Sequence, residues 1–235
     1  MKTKIIATVG PASQNLDVFQ KMVDNGIDFI RTNTAYGNYQ QYGLFLNNLK
    51  KIQTKKEIKA IFDIKKPEGW DFFVKNNLEY LALSFTETIQ QIEEVKKIVP
   101  DAKIIAKIES KKGIDNFDQI VDNCWGIMIA RGDLGEAVSL EKIPPLQKEL
   151  SQKTICKNKF LITATEMLLS MVNNPGPTRA EVSDVANAVF EQSSAVMLSE
   201  ETAIGKYPAE SVEMMRKIIE EAEDWYYRRK KSCQL

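Results

Sequence analysis

The chain has 235 residues, enough for one large domain or two small ones, and close to the roughly 250 that an α/β barrel needs. Its 32 Lys and Arg are balanced by 32 Asp and Glu, so no net charge draws it to nucleic acid or a membrane surface. Histidine is absent, which excludes Ser-His-Asp and Cys-His mechanisms and any histidine-ligated metal.

The first apolar run, residues 5–9, breaks at Gly10-Pro11 and an amphipathic segment follows over 15–25. Residues 29–34 form the next strand and end in Arg31, Asn33 and the turn Ala35-Tyr36-Gly37. A helix over 38–51 leads to a strand over 58–64, which ends at Asp63 and Lys65-Lys66-Pro67-Glu68. A short helix over 71–77 precedes a strand over 80–85 that carries Ser84, and 88–98 reads as a helix. Strands over 103–108 and 126–130 flank a helix over 113–121. A helix over 144–156, a strand over 160–165, a helix opened by Pro177-Thr178-Arg179-Ala180-Glu181, a strand over 195–199 and a long helix over 209–229 complete the chain. Thr178 and Glu181 have the spacing of a capping box.

Eight strands alternating with helices predict an α/β fold, a single-domain (β/α)₈ barrel, with a doubly wound open sheet as the rival. The polar residues favour the barrel. Asn33, Asp63, Ser84, Glu109, Asp133, Thr165 and Glu201 all fall at or just after strand C-termini, which a barrel gathers into one ring. The unit over 103–135 is the densest: one strand delivers Lys107 and Glu109, the next Arg131 and Asp133. Parallel neighbours put these ends on one rim, and two carboxylates there suit a hard cation such as Mg²⁺ that keeps places open for substrate. The plainer alternative is a pair of salt bridges at loop starts.

No run is long enough to cross a membrane, and the opening MKTKIIATVG turns polar too soon for a signal peptide, so a cytoplasmic protein is expected. Cys124, Cys156 and Cys233 have no metal-site spacing and read as incidental thiols. No glycine-rich phosphate loop of standard spacing is present. Met167, Met171 and Met197 read as core, and Trp225-Tyr226-Tyr227 as helix packing or an oligomer contact.

The wording of several segments resembles the pyruvate kinase family: KIES with GIMIARGDLG, TKIIATVGPAS at the first strand, Arg31-Thr32-Asn33, IFDIKKPE, ITATEML, NNPGPTRAEVSDVANAV and VMLSEETAIGKYP. The resemblance implies that Glu109 and Asp133 hold Mg²⁺ or Mn²⁺ and that Lys107 stabilises charge on an enolate and a transferring phosphoryl group. It implies that Arg31 contacts phosphate, that Thr165 lies beside the enolate carbon, and that the backbone from Ala130 through Arg131 and Gly132 to Asp133 takes the substrate carboxylate. Ser84, Ser199 and Glu201 stand at further rim positions. A monovalent cation, K⁺, would fall to Asn33, Asp63 and the carbonyl of Ile64. The substrate would be phosphoenolpyruvate, pyruvate or a close 2-oxo acid, and the protein a homo-oligomer.

The departures matter as much. The family inserts a lid of roughly a hundred residues after the third strand, where this chain has only Gly69-Trp70 and a short helix, and the family's C-terminal domain is missing. Ala35 and Ile64 replace hydroxyl residues, which weakens the potassium site. The arginine expected after Pro-Glu is replaced near Gly69-Trp70, and Glu200 replaces a glycine. The enolate half of the site is therefore retained and the nucleotide half damaged. Three expectations follow: a Mg²⁺-dependent enolate enzyme, acting as a kinase or as a lidless lyase (decarboxylase or aldolase); a non-catalytic barrel that binds a metabolite or partner; or a component whose lid comes from another chain.

Overall fold

The computed structural model describes residues 3–65 and 67–232; Lys66 and Cys233 lie outside them. Eight parallel strands close into a barrel in sequence order: β1 (Lys4–Thr8), β2 (Phe29–Asn33), β3 (Lys59–Ile64), β4 (Tyr80–Leu83), β5 (Lys103–Ile108), β6 (Gly126–Ala130), β7 (Phe160–Ala164) and β8 (Ala195–Leu198). β1 pairs with β8, which closes the ring and rules out the open sheet. Helices α1 (Leu16–Asp24), α2 (Tyr39–Lys51), α3 (Pro67–Lys75), α4 (Ile89–Ile98), α5 (Lys111–Asp115), α6 (Phe117–Asn123), α7 (Arg131–Ala137), α8 (Ile143–Cys156), α9 (Arg179–Phe190), α10 (Glu200–Ala203) and α11 (Pro208–Ser232) surround it or cap its rim.

Local chemistry explains the ends of these helices. Asn15 caps α1 by accepting from the amides of Asp17 and Val18, and Phe19, Met22 and Val23 bury the helix face that their spacing creates. The box at Thr178 and Glu181 forms at α9, and Glu181 also accepts from Ser170, tying the loop after β7 to that helix. Two elements differ from the sequence expectation. The helix expected over 113–121 is broken at Asn116, whose side chain turns away to donate to Glu87 O at 2.8 Å. The second is α7, a helix in the stretch between the strand over 126–130 and the helix over 144–156, where the sequence expectation has no element.

Strand alternation divides the core. Outward residues such as Ile5, Phe62, Ile104 and Leu161 pack under the helices in two clusters. Inward residues Ile6, Ile61, Ala82, Ile105, Met128 and Ile162 fill the barrel. Its N-terminal end is sealed by Phe29, Tyr80, Trp125 and Phe160, with Trp125 stacked on Phe160 at 4.7 Å. The opposite end carries charge. Gly10 lets α10 lean against β1 there, because a Cβ at residue 10 would lie 2.6 Å from Ala203 O. β3 and β4 are joined by α3 alone among the described residues, and no helix described is long and apolar enough to cross a membrane. Burial pushes the Cys124 thiol up to about 11, which leaves it protonated and inert.

Candidate active site

A cavity of about 600 Å³ opens at the C-terminal rim. Arg31, Asn33, Ser84, Lys107, Glu109, Ala130, Asp133, Thr165 and Ser199 all line it, so five of the seven expected strand-end residues meet at one place, while Asp63 and Glu201 do not line it.

Lys107 and Glu109 project inward from β5 and its end, 7% and 2% exposed. Lys107 Nζ lies 3.0 Å from Glu109 Oε1, 3.0 Å from Asp63 Oδ2 and 3.1 Å from Ser84 Oγ. Arg31, from β2, reaches the same Asp63 oxygen through Nε at 3.1 Å and Nη2 at 2.5 Å, and its Nη1 donates to Thr8 Oγ1. Ser84 completes the cluster by donating to Asp63 Oδ1 at 3.0 Å. Burial pushes the Asp63 carboxyl up, but the charges of Arg31 and Lys107 outweigh it and hold it below its ordinary value. Asp63 therefore sits beneath the cavity as an anion shared by two cations.

Glu109 is different. Burial raises its carboxyl, the Lys107 charge and the Phe85 amide at 2.7 Å oppose this, and the neighbouring Asp133 carboxyl helps keep the net shift upward. Its Oε1 faces Lys107 but takes no hydrogen bond. Asp133, on the first turn of α7, is solvent-exposed at the cavity wall. Among the described residues no group of three or more His, Cys, Asp or Glu forms a metal cluster. A buried carboxylate at the cavity beside a second, exposed carboxylate still fits a divalent cation that takes its other ligands from substrate and water, as Mg²⁺ does.

The monovalent set does not fit. Asp63 is occupied as described, Asn33 Oδ1 accepts from the Ala35 amide at 3.0 Å, and Ala35 offers no oxygen. Thr34, next to them, donates its hydroxyl to Asp63 O at 3.0 Å. Only the Ile64 carbonyl remains of the expected ligands, and Ile64 does not line the cavity.

Thr165 has a φ of 68° and Glu166 one of 55°, consecutive left-handed residues directly after β7. Such strain collects at functional sites. The turn aims Thr165 Oγ1 at Gly132, whose amide donates to it at 2.8 Å. Arg131 turns outward: it donates to Ala164 O, Thr165 O and Asp184 and knits α7 to β7 and α9. Glu201 also misses the cavity. Fully buried, it accepts from the amides of Leu168 and Ser199 and pins the loops after β7 and β8 together. The Ser199 hydroxyl is buried without a partner on the cavity wall.

The residues that sequence reasoning missed form the floor and one flank. Met128 and Met197 make the floor, although Met197 reads as plain core, while Val9, Pro11, Tyr36, Tyr42, Phe45, Phe85 and Ile204 build an apolar wall. Inward alternation along β6 and β8 could have placed the methionines; the flank depends on how α2 and α10 approach β1 and carries no local signal.

Fold and site together define an α/β barrel with a charged cavity at its C-terminal rim. The profile of the pyruvate kinase barrel domain matches residues 1–70 and 65–212, and the chain belongs to the pyruvate kinase family. Pyruvate kinase from Dictyostelium discoideum is 48% identical over 169 residues, covering 70% of this chain and 32% of its own length. That from Thermococcus litoralis is 48% identical over 159 residues, 66% of this chain and 34% of its own. The chain thus spans about a third of these curated relatives. The Thermoplasma acidophilum pyruvate kinase aligns at 28% identity over 321 positions that take in 95% of this chain and 59% of the relative. Because this chain has 235 residues, about a hundred of those positions have no counterpart in it.

Proposed function

We propose that the protein is an enzyme that works through the enolate of pyruvate, phosphoenolpyruvate or a close 2-oxo acid. The observation that carries this reading is the buried Lys107 ammonium, held 3.0 Å from both Asp63 and Glu109 and open to the cavity beside Asp133. Glu109 and Asp133 would hold Mg²⁺ (or Mn²⁺), which supplies a Lewis acid for the substrate's carboxylate and keto oxygens. Lys107 stabilises the negative charge that develops on the enolate oxygen, from a position fixed before substrate arrives. Arg31 stands beside it as a second cation for an anionic substituent. Thr165, with the unpartnered Ser199 hydroxyl, holds the water or donor that exchanges a proton with the enolate carbon. The backbone between Ala130 and Asp133 receives the substrate carboxylate.

The connection of β3 to β4 by α3 alone favours a second reading within this chemistry, a lidless lyase. Phosphoryl transfer depends on positioning and on excluding water, and an open rim weakens both. The test is proton NMR of the pyruvate methyl group in D₂O. Loss of the methyl signal that requires Mg²⁺ supports the enolate site, and its absence in the presence of Mg²⁺ overturns it. Adding ADP and phosphoenolpyruvate then separates the readings: pyruvate and ATP together mark a kinase, whereas carbon–carbon chemistry without nucleotide marks a lyase.

A further inference from the structure

Asp63 lies at the centre of the charged cluster but does not line the cavity. Its carboxylate is 1% exposed and both its oxygens are engaged by neighbours in the chain: Ser84 on Oδ1, Arg31 twice and Lys107 once on Oδ2. The buried set balances itself, since Arg31 and Lys107 carry two positive charges and Asp63 and Glu109 two negative ones. A monovalent cation added at Asp63 would leave an uncompensated charge in a dry site and crowd two fixed cations against a third.

We propose that Asp63 is a positioning residue, the shared counter-ion that holds Arg31 and Lys107 at the cavity, and that the enzyme consequently uses no monovalent cation. The role rests on the enolate reading above, but the cation exclusion stands on the cluster alone. The two charges stand at different levels: β2 and β3 pair Asn33 with Asp63 and Arg31 with Ile61, so Arg31 lies one inward step below Asp63 and reaches up to it. Lys107 arrives from β5, across β4, where Ser84 fills the gap. The carboxylate does the work that a bound K⁺ would otherwise share, fixing the charge geometry of the floor.

The test uses thallium(I) as the probe, titrated by thallium NMR into the whole protein at constant ionic strength in tetramethylammonium chloride. Wild type is expected to show no saturable Tl⁺ site, and Arg31→Met to gain one, because one of the cations on Asp63 is gone. Lys107→Met empties the same oxygen from the other side and serves if Arg31→Met does not fold. Methyl exchange of wild type should agree within about twofold between potassium and tetramethylammonium salts, since only general ionic strength acts on it. Asp63→Asn should lower exchange at saturating pyruvate by about 10²-fold in both salts, the cost of a misplaced catalytic group. A saturable Tl⁺ site in wild type that Asp63→Asn abolishes overturns the proposal, as does exchange that needs potassium. Absence of exchange in wild type under every salt would defeat the enolate reading, while the Tl⁺ titration would still decide the fate of Asp63.

Discussion

The two ends of the barrel are built from the same strands and solve opposite problems, and β5 shows this within five residues. Lys103 enters at the N-terminal end with its side chain 36% exposed, paired with Glu79 Oε1 at 2.5 Å. Its ammonium lies 5.0 Å from the centre of the Tyr80 ring and 5.7 Å from that of Trp125. Lys107 leaves at the other end with its side chain 9% exposed, between two carboxylates. The lower lysine can snorkel to water over an aromatic plug, so its charge costs little and does little. The upper one is desolvated and fixed, which is what the proposed role of meeting developing charge requires. The lesson is that charge at the mouth is held in place by a barrel whose other end is closed with rings.

Removing the upper lysine is the strongest way to test that contrast. Lys107→Met should reduce Mg²⁺-dependent exchange of the pyruvate methyl group by about 10²–10³-fold, the range for losing one preorganised donor. The rate is to be measured per folded molecule by NMR in D₂O.

Asp63→Asn comes next, now for stability. It leaves Arg31 and Lys107 buried without their shared anion and should cost about 3–5 kcal/mol near neutral pH in urea unfolding. The folded carboxyl is held below its ordinary 3.8, so its contribution is complete above that value and is lost as pH falls through the folded one. The gap between wild type and variant should therefore close on the acid side. A gap that persists there would show that Asp63 acts through shape and not charge.

At the lower end, Trp125→Ala should cost about 3 kcal/mol, because it removes the stack on Phe160 and the edge contact with Tyr80 while leaving the cavity untouched. Exchange per folded molecule should be unchanged. The smallest effect is expected at Lys103→Met. A half-exposed pair with Glu79 and an exposed cation–ring contact are each worth about 1 kcal/mol or less, and differential scanning calorimetry should find little change. A large loss of exchange in either variant would mean that the two ends are coupled.

Much of this molecule could be read along the chain. Short β-branched runs spaced by amphipathic segments determine a parallel sheet covered by helices, because each run can bury both faces only between helices and its neighbours, whereas the closure of β1 on β8 is tertiary. The capping residues at Asn15 and Thr178 act within one helical turn, so their effect is visible in four letters. The rule that a barrel gathers its strand C-termini at one rim also anticipated that Lys107, Glu109, Asp133 and Thr165 would meet at one cavity. Other properties belong to the closed barrel. Asp63 and Arg31 stand at equivalent strand ends to any reader of the chain, and only the register of β2 and β3 turns one into the other's counter-ion. Glu201 looks like a site residue, yet the packing of α10 directs its carboxylate to two loop amides. Local pattern sets which face a side chain takes, a matter of two to four residues. Which charge it meets depends on groups dozens of positions away, and burial strengthens that meeting many-fold, so tertiary structure decides the electrostatics of the site.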